Sequence, residues 1–193
     1  MSADPVTTDP LAPLCEAAAN GDRAALGRLL RALGPQVLRV ARGVLGSNHP
    51  DVEDAAQESM VAIASALSSF RGESSVTHFA CRIAARRCVT VRRRAKTRRE
   101  RREALATEPP PPPVQAPRVL RREALRELLE TLPEEQAESL VLRVVMGFSL
   151  GEVAEATGAP INTVRSRLRL SKEALRRRIE ADPMLAESLE VES

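Results

Sequence analysis

The sequence contains no tryptophan and no tyrosine, and only three phenylalanines in 193 residues. Its core must therefore be assembled from Leu, Val, Ile and Ala, which suits helices packed on helices. There is no apolar run of about 18 residues, so no segment reads as a membrane-spanning helix. The N-terminal stretch MSADPVTTDP is polar and acidic, where a secretory signal would be basic and then apolar. The three cysteines, Cys15, Cys81 and Cys88, are too few and too odd in number for a disulfide framework, and they point to a reducing cytoplasm. His78, Cys81 and Cys88 lie at offsets of three and seven, but a structural zinc takes four ligands and no fourth is at hand. Buried thiols are expected there, with no metal and no cofactor. With only two histidines and no phosphate-cradling glycine loop, nothing resembles a catalytic set, and an enzyme is not expected.

What the chain does have is charge, unevenly placed. Arg and Lys exceed Asp and Glu by nine over residues 71–103 and by five over 160–181. Acid prevails over 1–70, 104–159 and 182–193. Two separated basic blocks suit a protein that touches a polyanion at two places. The stretch EPPPPPVQAP (Glu108–Pro117) cannot be helical, because proline lacks the N–H and clashes with the preceding turn. It reads as an extended spacer, and helical patterns flank it. The expected fold is all-α, with two small helical domains over 14–103 and 119–181. A disordered N-terminus (1–13), a Pro-rich linker (104–118) and an acidic tail (182–193) complete the chain.

In the first domain Leu26, Leu29, Leu30 and Leu33 form one stripe. Val37, Val40, Ala41, Val44 and Leu45 form another, after an expected break at Gly34-Pro35. A new helix is expected near HPDVED, with Pro50 at its first position and Asp51, Glu53 and Asp54 at the positive end of its dipole. Val52, Ala55, Ala56, Met60, Ile63, Ala64 and Leu67 face inward, and Asp54, Gln57 and Glu58 face outward. After the break at FRGESS, a last helix runs from about Val76 into RRCVTVRRRAKTRRERR, with Val76, Phe79, Ala80, Ile83 and Ala84 as its stripe.

In the second domain Pro133 and Gly147 separate three helices, and Leu140, Val141, Val144 and Val145 are expected to be buried. Ser149 and Glu152 have the spacing of a capping box. Gly158 supplies a left-handed turn, and Ile161, Val164 and Leu168 would anchor the next helix on the one before. Asn162, Thr163, Arg165, Ser166 and Arg169 are left facing out. This is the pattern of a helix-turn-helix whose second helix enters the major groove. Arginine can pair bidentately with guanine there, and serine or threonine can bond to either partner. The alternatives are a stand-alone helix-turn-helix regulator, or an adaptor whose arginine run binds RNA or an acidic partner.

The segment from LETLPEEQ to SKEALRRR resembles region 4 of bacterial sigma factors of the extracytoplasmic-function (ECF) group, in the sigma-70 family. The segment from GDRAALGR to CRIAARR, with DVEDAAQE and FRGESS inside it, resembles region 2. The resemblance implies a sigma factor that binds core RNA polymerase, through its clamp helices and flap, and recognises the −35 and −10 elements of promoter DNA. It also implies an anti-sigma factor as a candidate inhibitor. Asp54, Gln57 and Glu58 would dock on polymerase. Phe70, Arg71, Gly72, Glu73, Ser74 and Ser75 would capture an unstacked −10 base, and Arg82 and Arg86 on the basic helix behind them would hold the opened strand. Arg143 would touch a phosphate beside the −35 element, which Asn162, Thr163, Arg165, Ser166, Arg167 and Arg169 would read. The chain departs from the family pattern at the start of the basic helix. Phe79, Ala80 and Cys81 stand where Trp and other aromatics are usual, Arg86 stands for a common Asn, and Thr90 for a common Asp.

Overall fold

Every regular element among the described residues 9–104 and 126–181 of the computed structural model is a helix. The proline-rich spacer and the acidic tail expected from sequence lie outside those residues. The elements are α1 (Ala12–Ala19), α2 (Arg23–Leu45), α3 (Val52–Ala66, followed by a 3₁₀ turn over Leu67–Ser69), α4 (Val76–Glu103), α5 (126–131), α6 (Glu134–Val144), α7 (Leu150–Thr157) and α8 (Ile161–Glu180).

Helix α2 starts where Asp22 accepts hydrogen bonds from the N–H groups of Ala24 and Ala25 at 2.8 and 3.0 Å. It runs unbroken through Gly34-Pro35, contrary to the expected break. Pro35 is exposed, so the carbonyl it leaves unpaired can meet water. Gly34 has no Cβ to meet the proline ring. Leu29, Leu33, Val37, Val40 and Val44 stay fully buried across the proline and hold the helix in register.

Helix α4 is the spine of the molecule. One side packs on α2 and α3, and another packs on α6 and α7. Its buried residues are accordingly not the single stripe read from the sequence. Cys81, Ala85, Cys88 and Val89 are buried along with Val76, Phe79, Ala80 and Ala84. Small side chains allow close approach on both sides. The two expected domains therefore meet along α4, and their buried apolar residues form one continuous core. The tightest approach is at Gly43 of α2, where a Cβ would sit 2.3 Å from Cγ1 of Val145, just past the end of α6.

Four local expectations are corrected. Asp9–Pro13 belong to the fold, because Asp9 Oδ2 accepts the N–H of Val76 at 2.5 Å and α1 begins at Ala12. Pro50 lies in the turn before Asp51, the N-cap of α3. Val144 is 53% exposed, because α6 presents Ala137, Leu140 and Val141 to the core instead. Ile161 is 39% exposed, and α8 is anchored by Val164, Leu168 and Ser171.

Candidate nucleic-acid interface

The helix-turn-helix is α7 and α8. Ser149 Oγ accepts the N–H of Glu152 at 3.2 Å, and Glu152 accepts the N–H of Ser149 at 2.7 Å, so the capping box is closed. Those bonds hold the Glu152 carboxyl below the usual carboxylate range. Gly158 sits at φ 66, ψ 20, the left-handed conformation that the turn requires. With Val164 and Leu168 buried against the fold, Asn162, Thr163, Arg165, Ser166 and Arg169 are all exposed on one arc of α8. Arg165 donates to Asn162 Oδ1 at 2.9 Å, and Arg169 to Glu173 Oε1 at 2.5 Å. Both bonds are local and exposed, so a ligand can replace them at little cost. Arg167 is half-buried and turned from that arc, close enough to Glu138 to favour its carboxylate. Arg143, exposed at the end of α6, donates to the carbonyl of Phe148 at 2.7 Å and ties the α6–α7 turn.

The basic helix α4 is arranged differently from an open cationic surface. His78, Arg82, Arg86 and Arg93 fall on one stripe, and each meets the second half of the chain. The His78 ring lies 4.4 Å from that of Phe148, with Glu152 and Glu155 at 3.6 and 3.9 Å. Arg82 donates to the carbonyl of Ala156 at 3.0 Å. Arg86 forks onto Glu138, and Arg93 donates to the carbonyl of Leu132. Beside the stripe, buried Arg92 pairs with Glu130 at 2.9 Å, and Lys96 approaches the same carboxylate at 3.7 Å. Burial pushes the Glu130 and Glu138 carboxyls up, against the pull of these cations. Sequence reasoning missed both acids as partners. The available signal was the four-residue step of His78, Arg82 and Arg86, opposite an acidic PEEQAE.

The loop over residues 70–75 lies between the 3₁₀ turn and α4. Phe70 packs on Phe79 with ring centroids 4.9 Å apart. Gly72 takes φ 71, which gives the loop its turn. Ser75 Oγ accepts the N–H of His78 at 3.1 Å. Arg71 and Glu73 are exposed, and Ser74 is half-buried. A concavity of ≈ 200 Å³ opens here, lined by Phe70, Arg71, Glu73, Ser74 and Arg82 and walled by Glu155 and Gly158 from the second half. On the far side of the first half, Asp54, Gln57 and Glu58 line a shallow groove with Val61, which is 67% exposed. Thus the structure brings the loop residues together with Arg82. It sets Asp54, Gln57 and Glu58 on one face of α3 and the exposed polar arc on α8.

Among the described residues no cluster of His, Cys, Asp and Glu could hold a metal, and no helix is long and apolar enough to cross a membrane.

Comparison with known proteins places these elements. The family described as Sigma-70 region 2 matches residues 29–99, and Sigma-70, region 4 matches residues 122–175. The chain is 30% identical over 166 residues to the ECF RNA polymerase sigma factor SigM of Mycobacterium tuberculosis, covering 86% of this chain and 83% of that one. It is 34% identical over 154 residues to the ECF RNA polymerase sigma factor SigD of Mycobacterium bovis, covering 75% and 72%. Among solved structures, CnrH in complex with the cytosolic domain of CnrY matches with a TM-score of 0.55 at 23% identity, covering 88% of this chain and 97% of that one. At that identity the likeness speaks for the fold.

Proposed function

The chain belongs to the ECF RNA polymerase sigma factors, and on that premise we propose how its two halves divide the work of directing promoter-specific transcription initiation. Its partners are core RNA polymerase and promoter DNA. It recognises and positions and carries out no bond chemistry of its own, and the place of that work is the cytoplasm.

The exposed arc of α8 reads the −35 element. Arg165 and Arg169 reach base edges, Asn162, Thr163 and Ser166 contribute polar contacts, and Arg143 holds a flanking phosphate. Arg167 stands at the margin of this set, because it leans toward Glu138. The loop Phe70–Ser75 takes an unstacked −10 base into its concavity, and Arg82 and Arg86 hold the adjoining backbone. Asp54, Gln57 and Glu58 dock on polymerase, with Val61 adding apolar area to a charged contact. A candidate anti-sigma factor would compete for these surfaces.

The observation that carries the reading is the arc on α8. Five polar side chains stand exposed on a helix whose opposite face is anchored by Val164 and Leu168, behind a turn fixed by Gly158. The test is transcription by purified core polymerase with this protein on a pooled genomic promoter library. Start sites sharing a −35 and a −10 element at fixed spacing are the expected result. Output no different from core polymerase alone overturns the reading.

A further inference from the structure

Helix α2 carries five arginines and no acid. Four of them, Arg28, Arg31, Arg39 and Arg42, are exposed in steps that keep one face. At 3.6 residues per turn they fall within about 80° of one another and extend over about 21 Å of the helix. Among the described residues none of these four side chains makes an ion pair or a hydrogen bond. Arg28 stands near enough to Asp22 to favour its carboxylate, without pairing with it. On α4, by contrast, Arg82 and Arg86 meet a carbonyl and a carboxylate of the chain itself. Between the four arginines the exposed residues are Ala32 and Pro35, and no large apolar side chain of α2 is exposed. A protein partner would need apolar area at the centre of its contact, such as Val61 offers on α3. A sugar-phosphate backbone needs only charge and forked donors. At its C-terminal end the stripe enters a groove that Arg39 and Arg42 share with Ser47, Arg126 and Val144, and no acid lines it. Val144 follows Arg143, the residue given above to a phosphate beside the −35 element.

We propose that the outer face of α2 is a further DNA-binding surface: Arg28, Arg31, Arg39 and Arg42 hold the sugar-phosphate backbone of duplex DNA outside the promoter elements, without reading bases. The proposal rests on the reading of the chain as a promoter-DNA-binding protein. What the face adds is affinity and not sequence preference, because a phosphate contact carries no base information. Each arginine that neutralises a phosphate releases counterions, so four such contacts supply about 3.6 units of salt slope. The stripe also has an internal reason to take up an anion. Arg28 and Arg31, and again Arg39 and Arg42, are like charges one helical turn apart, and a phosphate beside each pair relieves their repulsion.

The test has two arms. In the first, the full-length chain is titrated with a short random-sequence duplex over a range of salt. Arg39→Gln with Arg42→Gln should keep the helical signal, because both side chains are exposed and glutamine suits a helix. The double variant should lose more than about tenfold in duplex affinity near physiological salt, and its salt slope should fall by about two units. Arg23→Gln, exposed on α2 but off the stripe, should leave the slope unchanged. The second arm locates the contact in the assembly of core polymerase, this chain and promoter duplex. A photo-crosslinker on Ala32→Cys, within the stripe, should label DNA, and one on Ser65→Cys, exposed on α3, should not. The three native cysteines are buried and do not compete for the label. An unchanged slope in the double variant overturns the surface. So does a loss for Arg23→Gln equal to that for each stripe arginine, which would mean that only net charge matters. A crosslink from Ala32→Cys to a polymerase subunit alone also overturns it and makes the face a protein contact. Arg143→Ala, measured alongside, separates this proposal from the wider reading. A slope that falls there while the double variant keeps its own sinks the stripe and leaves the −35 contact standing, whereas a parent with no affinity for duplex sinks both.

Discussion

Arg86 and Glu138 form a two-bond fork in which the acid is 1% exposed and the base 43% exposed. The pair is lopsided: the guanidinium keeps contact with water and the carboxylate does not. Burial is accordingly the largest influence on Glu138 and raises its pKa, although Arg86, Arg82 and Arg167 all pull it down. A carboxyl raised in the folded chain holds its proton more tightly there than when unfolded. Its contribution to stability is therefore complete below the ordinary value of about 4.3 and is lost as pH climbs through the raised value. Glu138→Gln removes the titration while keeping the size. The melting temperature of the parent relative to Glu138→Gln should be most favourable near pH 4 and should decline toward pH 7. A gap that instead grows with pH would mean that the arginines outweigh burial.

The buried thiols give a second prediction. Burial pushes Cys81 and Cys88 up to about 12, and raises Cys15 as well. The reactive species is the thiolate. At pH 8 all three should be inert to a disulfide exchange reagent in the native chain and should react together on unfolding. One thiol titrating rapidly in native buffer would show that its helix face opens locally, and mass spectrometry of the product would locate it.

The docking assignment predicts a clean separation of binding from folding. Asp54 and Glu58 are exposed on α3, and among the described residues neither side chain has an ion pair or hydrogen bond. Asp54→Arg with Glu58→Arg should therefore keep the helical signal and cost only about 1 kcal/mol of stability, chiefly because Asp54 leaves the first turn of α3, where the helix dipole favours an acid. Association with core polymerase in a pull-down should be lost. Undiminished association would remove this face from the contact.

How far these elements could be read from the sequence depended on how local their physics is. The capping box Ser149–Glu152, the turn at Gly158 and the acidic outer face of α3 are set within a few residues, and period and spacing show them. The continuity of α2 through Pro35 was not legible, because it depends on buried contacts at Leu33 and Val37 that override a local breaker. Nor was the second packed side of α4: burial of the thiols Cys81 and Cys88 was legible, but His78, Arg82, Arg86 and Arg93 read as an open cationic face until the second half is known to lie against that helix. Glu138 is the sharpest case: in sequence it is one acid among several in PEEQAE, and only long-range docking makes it the buried one. At the candidate site, spacing anticipated which side chains of α8 stand exposed, with Arg167 half-buried instead. It could not show that Arg82 and Arg86 already have partners within the chain.

The recognition helix gives the last prediction, and the structure sharpens it. Arg165 is exposed, and its one bond is to Asn162 in the same turn. Arg165→Ala should leave stability nearly unchanged. It should weaken binding to the preferred −35 duplex by about 1–3 kcal/mol and relax preference at one or two base pairs. Arg143 differs because its guanidinium also ties the α6–α7 turn through the Phe148 carbonyl at 2.7 Å. Arg143→Ala should lower stability by about 0.5–1.5 kcal/mol for the lost hydrogen bond. It should also weaken binding to all duplexes alike and reduce the salt slope by about one unit, because a phosphate contact carries no base information. Binding of each full-length variant to the preferred site and to single-base variants, at two salt concentrations, separates the two roles. If Arg165→Ala lowers affinity equally for every duplex, α8 is a charged surface and not a reader of sequence.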